Sequence, residues 1–157
     1  MNYTTRMLSP HFARWEFTVS QEAVRRGIAN EPSAAQWDRL EALAVTILEP
    51  AREHCGPLHI NSGYRSPALN AAIGGAANSQ HMRGEAADVI PKQGTLSDLF
   101  KWMHANAPFD QIIFEFGAWV HVSHVIDTPM RHVALVATKL NGKTVYAPMT
   151  AEQVGQL

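Results

Sequence analysis

Residues 78–90 read NSQHMRGEAADVI and place an aspartate inside an apolar run. Asp88 is flanked by small and branched apolar residues, a pattern that indicates a buried strand. An unpaired carboxylate in such a place costs several kcal/mol in desolvation, so a partner should neutralise Asp88. His81 lies seven residues earlier, and a metal ion shared by the two side chains is one candidate for that partner.

The segment WVHVS at residues 119–123 offers a third ligand. Alternate residues of a strand share a face, so His121 points away from the two valines that flank it and that belong to the core. Imidazole and carboxylate are good zinc ligands, and three protein ligands with an open fourth position are typical of catalytic zinc sites. We therefore predict that His81, Asp88 and His121 bind zinc, one ion per chain.

Glu115 comes shortly before this segment, near the end of the strand-like run QIIFEF at residues 111–116. If residues 116–118 form a three-residue loop, Glu115 pairs with Trp119 and shares a face with His121. Diagonal neighbours of this kind lie roughly 7–8 Å apart, which suits a carboxylate that contacts the attacking water rather than the metal. A two-residue loop would place Glu115 on the opposite face and remove this role.

Length and composition indicate one globular domain. The 157 residues are 46% hydrophobic and 17% charged, and the net charge of -1 argues against nucleic acid as the main partner. No stretch approaches 18 consecutive apolar residues, so we predict no membrane insertion. The N-terminal stretch MNYTTRMLSPHFARWEF has no uninterrupted apolar segment, which predicts synthesis in the cytoplasm without a signal peptide.

The order of elements predicts an α+β fold in a single domain, residues 1–157, with N-terminal helices packed on a largely antiparallel sheet that ends as a meander. Ser20 and Gly27 bound a short helix, and Ser33 begins a longer one that Pro50 should kink or shorten. Thr95 should cap a later helix. Strands are predicted at residues 58–62, 86–90, 111–116, 119–123, 131–138 and 143–148, with Asn141-Gly142 as a hairpin turn.

The spacing S-x-H-x-x-G-x-A-x-D around the predicted ligands is matched in full by Ser79, His81, Gly84, Ala86 and Asp88. Together with SGYRS at 62–66 and WVH at 119–121, this pattern resembles the zinc D-Ala-D-Ala carboxypeptidase family, peptidase family M15. The resemblance runs from about His11 to Ser123, and the remainder reads as C-terminal strands. It is similar above all to small phage and prophage-type members, endolysins among them, which cleave peptidoglycan stem peptides.

The resemblance implies a role for each matched residue. It implies His81, Asp88 and His121 as zinc ligands, Arg65 as the group that stabilises the substrate carbonyl oxygen or the developing oxyanion, and Ser79 as a substrate-site residue. Many members place an acidic catalytic base three residues before the last histidine, where this chain has Ala118. Glu115 is the nearest carboxylate, and we predict that it acts as the base.

Each assignment has a structural alternative. Asp88 could instead accept hydrogen bonds from backbone amides, Arg65 could cap a helix or form a salt bridge, and Ser79 could cap a turn. Glu115 could be a simple rim carboxylate, and Trp119 could pack rather than line a substrate cleft. His124 competes with His121, but its odd offset places it on the other face of the strand.

Two functions follow, from different classes. The first is a zinc peptidase that hydrolyses a bond in peptidoglycan stem peptides or cross-links, as a carboxypeptidase or an endopeptidase. It would act in the periplasm or cell wall after release or virion delivery. The second is a zinc-binding structural or binding module without turnover, favoured by Ala118. A peptidase unrelated to the cell wall is a third, weaker reading. Oligomeric state and the bond cleaved are open at this point.

Overall fold

Helices and a six-stranded sheet share one hydrophobic core in the computed structural model, which describes residues 6–157. Residues 1–5 lie outside the described residues. They form the beginning of the N-terminal stretch from which the absence of a signal peptide is predicted. The helices are α1 Gln21–Arg26, α2 Ala34–Leu43, α3 Glu49–Cys55, α4 Pro67–Ala72, α5 Leu96–Asn106 and α6 Ala151–Gly155. The strands are β1 Leu58–Ser62, β2 Ala86–Pro91, β3 Gln111–Glu115, β4 Trp119–Ser123, β5 Val133–Leu140 and β6 Lys143–Pro148.

Local signals for the helices are confirmed. The hydroxyl of Ser20 accepts a hydrogen bond from the third residue of α1, and Gly27 ends that helix in the left-handed conformation. The long predicted helix is continuous but changes its winding, because a π turn at Ala44–Leu48 joins α2 to α3. Pro50 lies two residues after this turn, in the first turn of α3, where its missing N–H is tolerated, so the proline does not end the helix.

The sheet has the order β1-β2-β4-β3-β5-β6 and is largely antiparallel, as predicted. One pair departs from a simple meander, since β5 runs parallel to β3. Both edges of β4 are already occupied, by β2 and β3. Arg131 donates to the carboxylate of Asp110 at the start of β3, and Val133 donates to its carbonyl. These contacts make β5 begin beside the start of β3 and run in the same direction.

The two faces of the sheet differ in character. One face packs on the helices and supplies fully buried apolar side chains such as Val89, Val120 and Val122. The other carries Asp88 and His121, and the strand register extends this face across β3, β5 and β6. The helix α6 was not predicted; its Val154 joins the core. No helix among the residues that the structure describes is long and apolar enough to span a membrane.

Candidate active site

Three elements bring the predicted ligands together. Asp88 on β2 and His121 on β4 are direct register partners, which places their side chains next to each other on one face. His81 comes from a 3-10 turn, Gln80–Arg83, that precedes β2. Gly84 ends this turn at φ 73°, the left-handed region that glycine adopts most easily, and so folds His81 back over the strands.

The three ligand atoms form a nearly equilateral triangle. His81 Nε2 lies 3.2 Å from Asp88 Oδ1, His121 Nδ1 lies 3.0 Å from the same oxygen, and the two nitrogens are 3.2 Å apart. Tetrahedral zinc with bonds of 2.0–2.1 Å to nitrogen and oxygen separates its ligand atoms by about 3.3 Å. The spacing and the donor types therefore fit one zinc ion. No other group of this kind occurs within residues 6–157.

Further hydrogen bonds orient these ligands. His81 Nδ1–H donates to the carbonyl of Gly63 at 2.6 Å, which directs Nε2 toward the cluster. Arg65 donates from Nη2 to the second carboxylate oxygen of Asp88 at 2.8 Å and from Nε to Ser62 Oγ at 3.0 Å. Asp88 thus contacts charged and polar side chains, and each of its oxygens has a defined partner.

The charge of Asp88 is stabilised although the carboxyl is only 3% exposed. Burial alone would raise its pKa, but the positive charge of His81 and hydrogen bonds from His121 and His81 outweigh burial and hold the pKa well below its usual range. Asp88 is therefore an anion near neutral pH, the form that binds a metal cation.

Glu115 lies where the loop argument places it. It pairs with Trp119 across a three-residue loop, so it shares the ligand face with His121, and this geometric prediction is confirmed. Phe116 and Gly117 make the turn with φ of 56° and 65°. Burial, and next the negative charge of Asp88, raise the pKa of Glu115, while His121 and Arg65 oppose the rise. A carboxyl with a raised pKa is a better proton acceptor at neutral pH.

The remaining predicted residues line one cleft of about 980 Å³. Arg65 faces it while it forms the salt bridge to Asp88. Ser79 is half-buried at the start of the 3-10 turn, and its hydroxyl does not cap that turn. Trp119 lines the cleft and also packs edge-on against Phe116, with 5.6 Å between ring centroids. The competing His124 lies outside the ligand cluster, and burial lowers its pKa.

The β5–β6 side of the cleft was not predicted from the sequence. The β5–β6 hairpin contributes Leu135, Lys139, Thr144 and Tyr146. Burial, and next the negative charge of Glu115, raise the pKa of Tyr146. The phenol is therefore close enough to the candidate base for the two groups to interact electrostatically. The apolar run VALVA at residues 133–137 indicates a strand. Nothing local indicates which sheet edge it joins.

Comparison with known proteins agrees with this geometry. The family described as Peptidase M15 matches residues 10–123, a segment that contains all three predicted ligands, Arg65 and Glu115. The chain belongs to the peptidase M15 family. This confirms the family predicted from the S-x-H-x-x-G-x-A-x-D motif. In this M15 protein, the β5–β6 hairpin lies beyond the matched residues.

A curated relative is the Zinc D-Ala-D-Ala carboxypeptidase of Streptomyces albus G. It is 52% identical to this chain over 33 residues. The alignment covers 21% of the chain and only 13% of the relative, so the similarity is local. The family assignment rests on the longer match, and the relative adds a protein whose name states both a metal and a peptide-bond chemistry.

Proposed function

We propose that this protein is a zinc metallopeptidase that hydrolyses a peptide bond in peptidoglycan stem peptides or cross-links. The observation that carries the proposal is the buried cluster of His81, Asp88 and His121 at the base of a cleft that also holds Glu115. The name of the Streptomyces relative supports both the metal and the substrate class. The family match supports peptide-bond hydrolysis.

In this proposal His81, Asp88 and His121 hold the metal ion. When bound there, zinc lowers the pKa of a water molecule towards ~7 and polarises the scissile carbonyl. The chain's own part is to hold the imidazole of His81 so that its Nε2 faces the metal ion. The Gly63 carbonyl does this for His81 by accepting its Nδ1 proton.

Glu115 takes the proton of the attacking water and passes it to the leaving amine. Its raised pKa favours this exchange, because a weakly acidic carboxyl accepts and releases a proton readily near neutral pH. Arg65 uses two of its five N–H groups on Ser62 and Asp88. The others remain for the substrate carbonyl oxygen, where negative charge grows in the transition state.

Ser79 and Trp119 are proposed to contact the peptide, since both line the cleft. We also propose that the protein is a single peptidase domain of the small phage or prophage type. As an endolysin-like enzyme it would reach the cell wall after release or virion delivery. The motif set that resembles those members supports this part of the proposal.

The test is incubation of the zinc-loaded protein with purified peptidoglycan fragments, followed by mass spectrometry. A shortened stem peptide identifies the bond and separates carboxypeptidase from endopeptidase action. Glu115→Gln keeps the shape but removes the proton acceptor, so turnover should fall by about 10²-fold or more while zinc content stays the same.

The matched control is Glu53→Gln, which removes an exposed carboxylate of α3 and should leave turnover unchanged. A wild-type protein that binds zinc and leaves every peptide intact would reject the peptidase proposal in favour of a zinc-binding module without turnover. Cleavage of general peptides alone would reject the peptidoglycan substrate.

A further inference from the structure

Most charged side chains of the cleft neutralise one another. Ion pairs join Arg65 to Asp88 at 2.8 Å, Arg83 to Glu85 at 2.7 Å, Arg131 to Asp110 at 2.5 Å and Asp127 to Arg39 at 2.9 Å. Within residues 6–157, the acidic and basic side chains of the cleft that have no ion-pair partner are Glu115 and Lys139. Glu115 has a proposed catalytic role, which leaves one unassigned positive charge.

Lys139 lies on the same face of the sheet as the candidate base. Glu115 is the register partner of Ala137 on the parallel strand β5, and Lys139 is two residues further along that strand. From the strand spacing and the rise per residue, the Cα atoms of Glu115 and Lys139 lie about 8 Å apart. This is within the reach of a peptide residue next to the scissile bond.

Two neutral contacts hold the ammonium group of Lys139 at the cleft. It donates a hydrogen bond to Thr144 Oγ1 at 2.7 Å, and its Nζ lies 5.1 Å from the centroid of the Phe116 ring. Phe116 has φ of 56°, a left-handed backbone region that non-glycine residues adopt uncommonly. Both contacts position the ammonium, and neither supplies the negative charge that would neutralise it.

We propose that Lys139 binds a carboxylate of the substrate peptide, so that the β5–β6 hairpin selects peptides with an acidic group close to the scissile bond. This inference rests on the proposed function and specifies its substrate class. Two groups share the required chemistry, namely the carboxylate at the C-terminus of the peptide and the α-carboxylate of a D-glutamyl residue within it. Binding of the first would make the protein a carboxypeptidase.

The test measures binding separately from cleavage. Zinc-loaded protein carrying Glu115→Gln is titrated by calorimetry with diacetyl-L-Lys-D-Ala-D-Ala and with its C-terminal amide. A second pair of peptides compares a D-isoglutamyl residue with D-isoglutaminyl. In one of the pairs the acid should bind about three- to tenfold more tightly than the amide, as for a partly exposed ion pair. Lys139→Gln should bring the ratio of acid to amide affinity close to one. Lys139→Arg should keep the preference for the acid, and Lys139→Glu should reverse it.

The matched control is Lys143→Gln, which removes the same charge from the same hairpin. Lys143 alternates with Thr144 along β6 and so lies on the opposite face, outside the cleft. The ratio of acid to amide affinity in Lys143→Gln should equal that of the parent protein. Melting temperatures should show that every variant is folded.

The outcomes separate this inference from the proposed function. An acid-to-amide ratio that Lys139→Gln leaves unchanged in both pairs, or no measurable binding of either acid at millimolar concentration, rejects the role of Lys139. If the wild-type protein nevertheless cleaves peptidoglycan peptides, the proposed function stands without it. A preference that depends on Lys139, in a protein that cleaves nothing, would uphold the binding site and reject the peptidase.

Discussion

His81 shows how one backbone contact can determine the chemistry of a side chain. The Gly63 carbonyl fixes the proton of the imidazole on Nδ1, and Nε2 is therefore free to act as a ligand beside Asp88. The imidazole is 3% exposed, so it has no compensating contact with solvent. A buried histidine that is turned toward a carboxylate and a second histidine is ready to bind a metal.

The first prediction is that His81→Ala loses most of its zinc. Removal of one of three ligands leaves a site with too few donors to retain the ion against dialysis. Elemental analysis of the dialysed protein should show zinc near one equivalent in the wild type and well below it in the variant. His59→Ala, an exposed histidine on β1, is the control and should keep its zinc. Stoichiometric zinc in His81→Ala would remove this residue from the site.

The connection between the 3-10 turn and β2 shows what an element junction contributes. Gly84 lies between His81 and Asp88, at φ 73°, and a Cβ there would be 2.6 Å from the backbone oxygen of Gln36 in α2. That oxygen cannot move like the end of a flexible side chain. The close approach of α2 and the left-handed turn together require glycine, and they define the distance between the turn and the strand.

The second prediction compares two glycines. Gly84→Ala should reduce the free energy of unfolding by more than about 2 kcal/mol, because the left-handed conformation costs roughly 1–2 kcal/mol and the clash adds to it. Gly74→Ala has a similar φ of 70° with nothing within 4 Å, so it should show the conformational cost alone. Urea denaturation measures both. Equal effects at the two positions would show that α2 yields to the added methyl group.

Asp110 links distant parts of the chain at the scale of the whole molecule. It is 2% exposed, accepts a hydrogen bond from Gln80 beside His81, and pairs with Arg131 ahead of β5. Burial would raise its pKa, but hydrogen bonds from Arg131 and Gln80 and the charge of Arg131 lower the pKa to about 2. The carboxylate of Asp110 thus joins the 3-10 turn that carries His81 to the segment that leads into the β5–β6 hairpin.

The third prediction concerns pH. Because the folded pKa of Asp110 is below its unfolded value of about 3.9, its stabilising effect is present above about pH 4 and is lost as the pH falls towards 2. Asp110→Asn should lower the free energy of unfolding at pH 7 by about 1–2 kcal/mol and flatten its decline between pH 4 and 2. The control Asp127→Asn breaks a more exposed pair with Arg39 and should cost less than about 1 kcal/mol. An unchanged acid decline would show that other carboxyls cause it.

The fourth prediction is that a chelator lowers the melting temperature of the wild-type protein. The ligands come from three separate elements, so the metal binds the folded state and stabilises it by mass action. Scanning calorimetry with and without a chelator measures the shift. His81→Ala, which lacks the complete site, should melt at the same temperature in both conditions. A wild-type melting curve that the chelator does not change would argue that the metal is peripheral.

The local features of this protein follow from its sequence because they depend on residues close together in the chain. Alternation along WVHVS places His121 opposite the core valines, and the three-residue loop places Glu115 on the same face. Asn141 and Gly142 both have positive φ, as the hairpin motif predicts. The α+β class followed from the order of the predicted elements, and the candidate metal ligands followed from the motif around His81 and Asp88 together with WVH at 119–121.

Other features required the tertiary structure because contacts between distant residues produce them. The salt bridge of Arg131 with Asp110 helps to direct β5 along β3, and no local pattern around either residue indicates that pairing. The parallel pairing in turn brings Lys139 to the cleft, beyond the residues that resemble the family. A strand's alternation specifies its two faces, but the edge that it joins depends on which edges remain free after the rest of the sheet has formed.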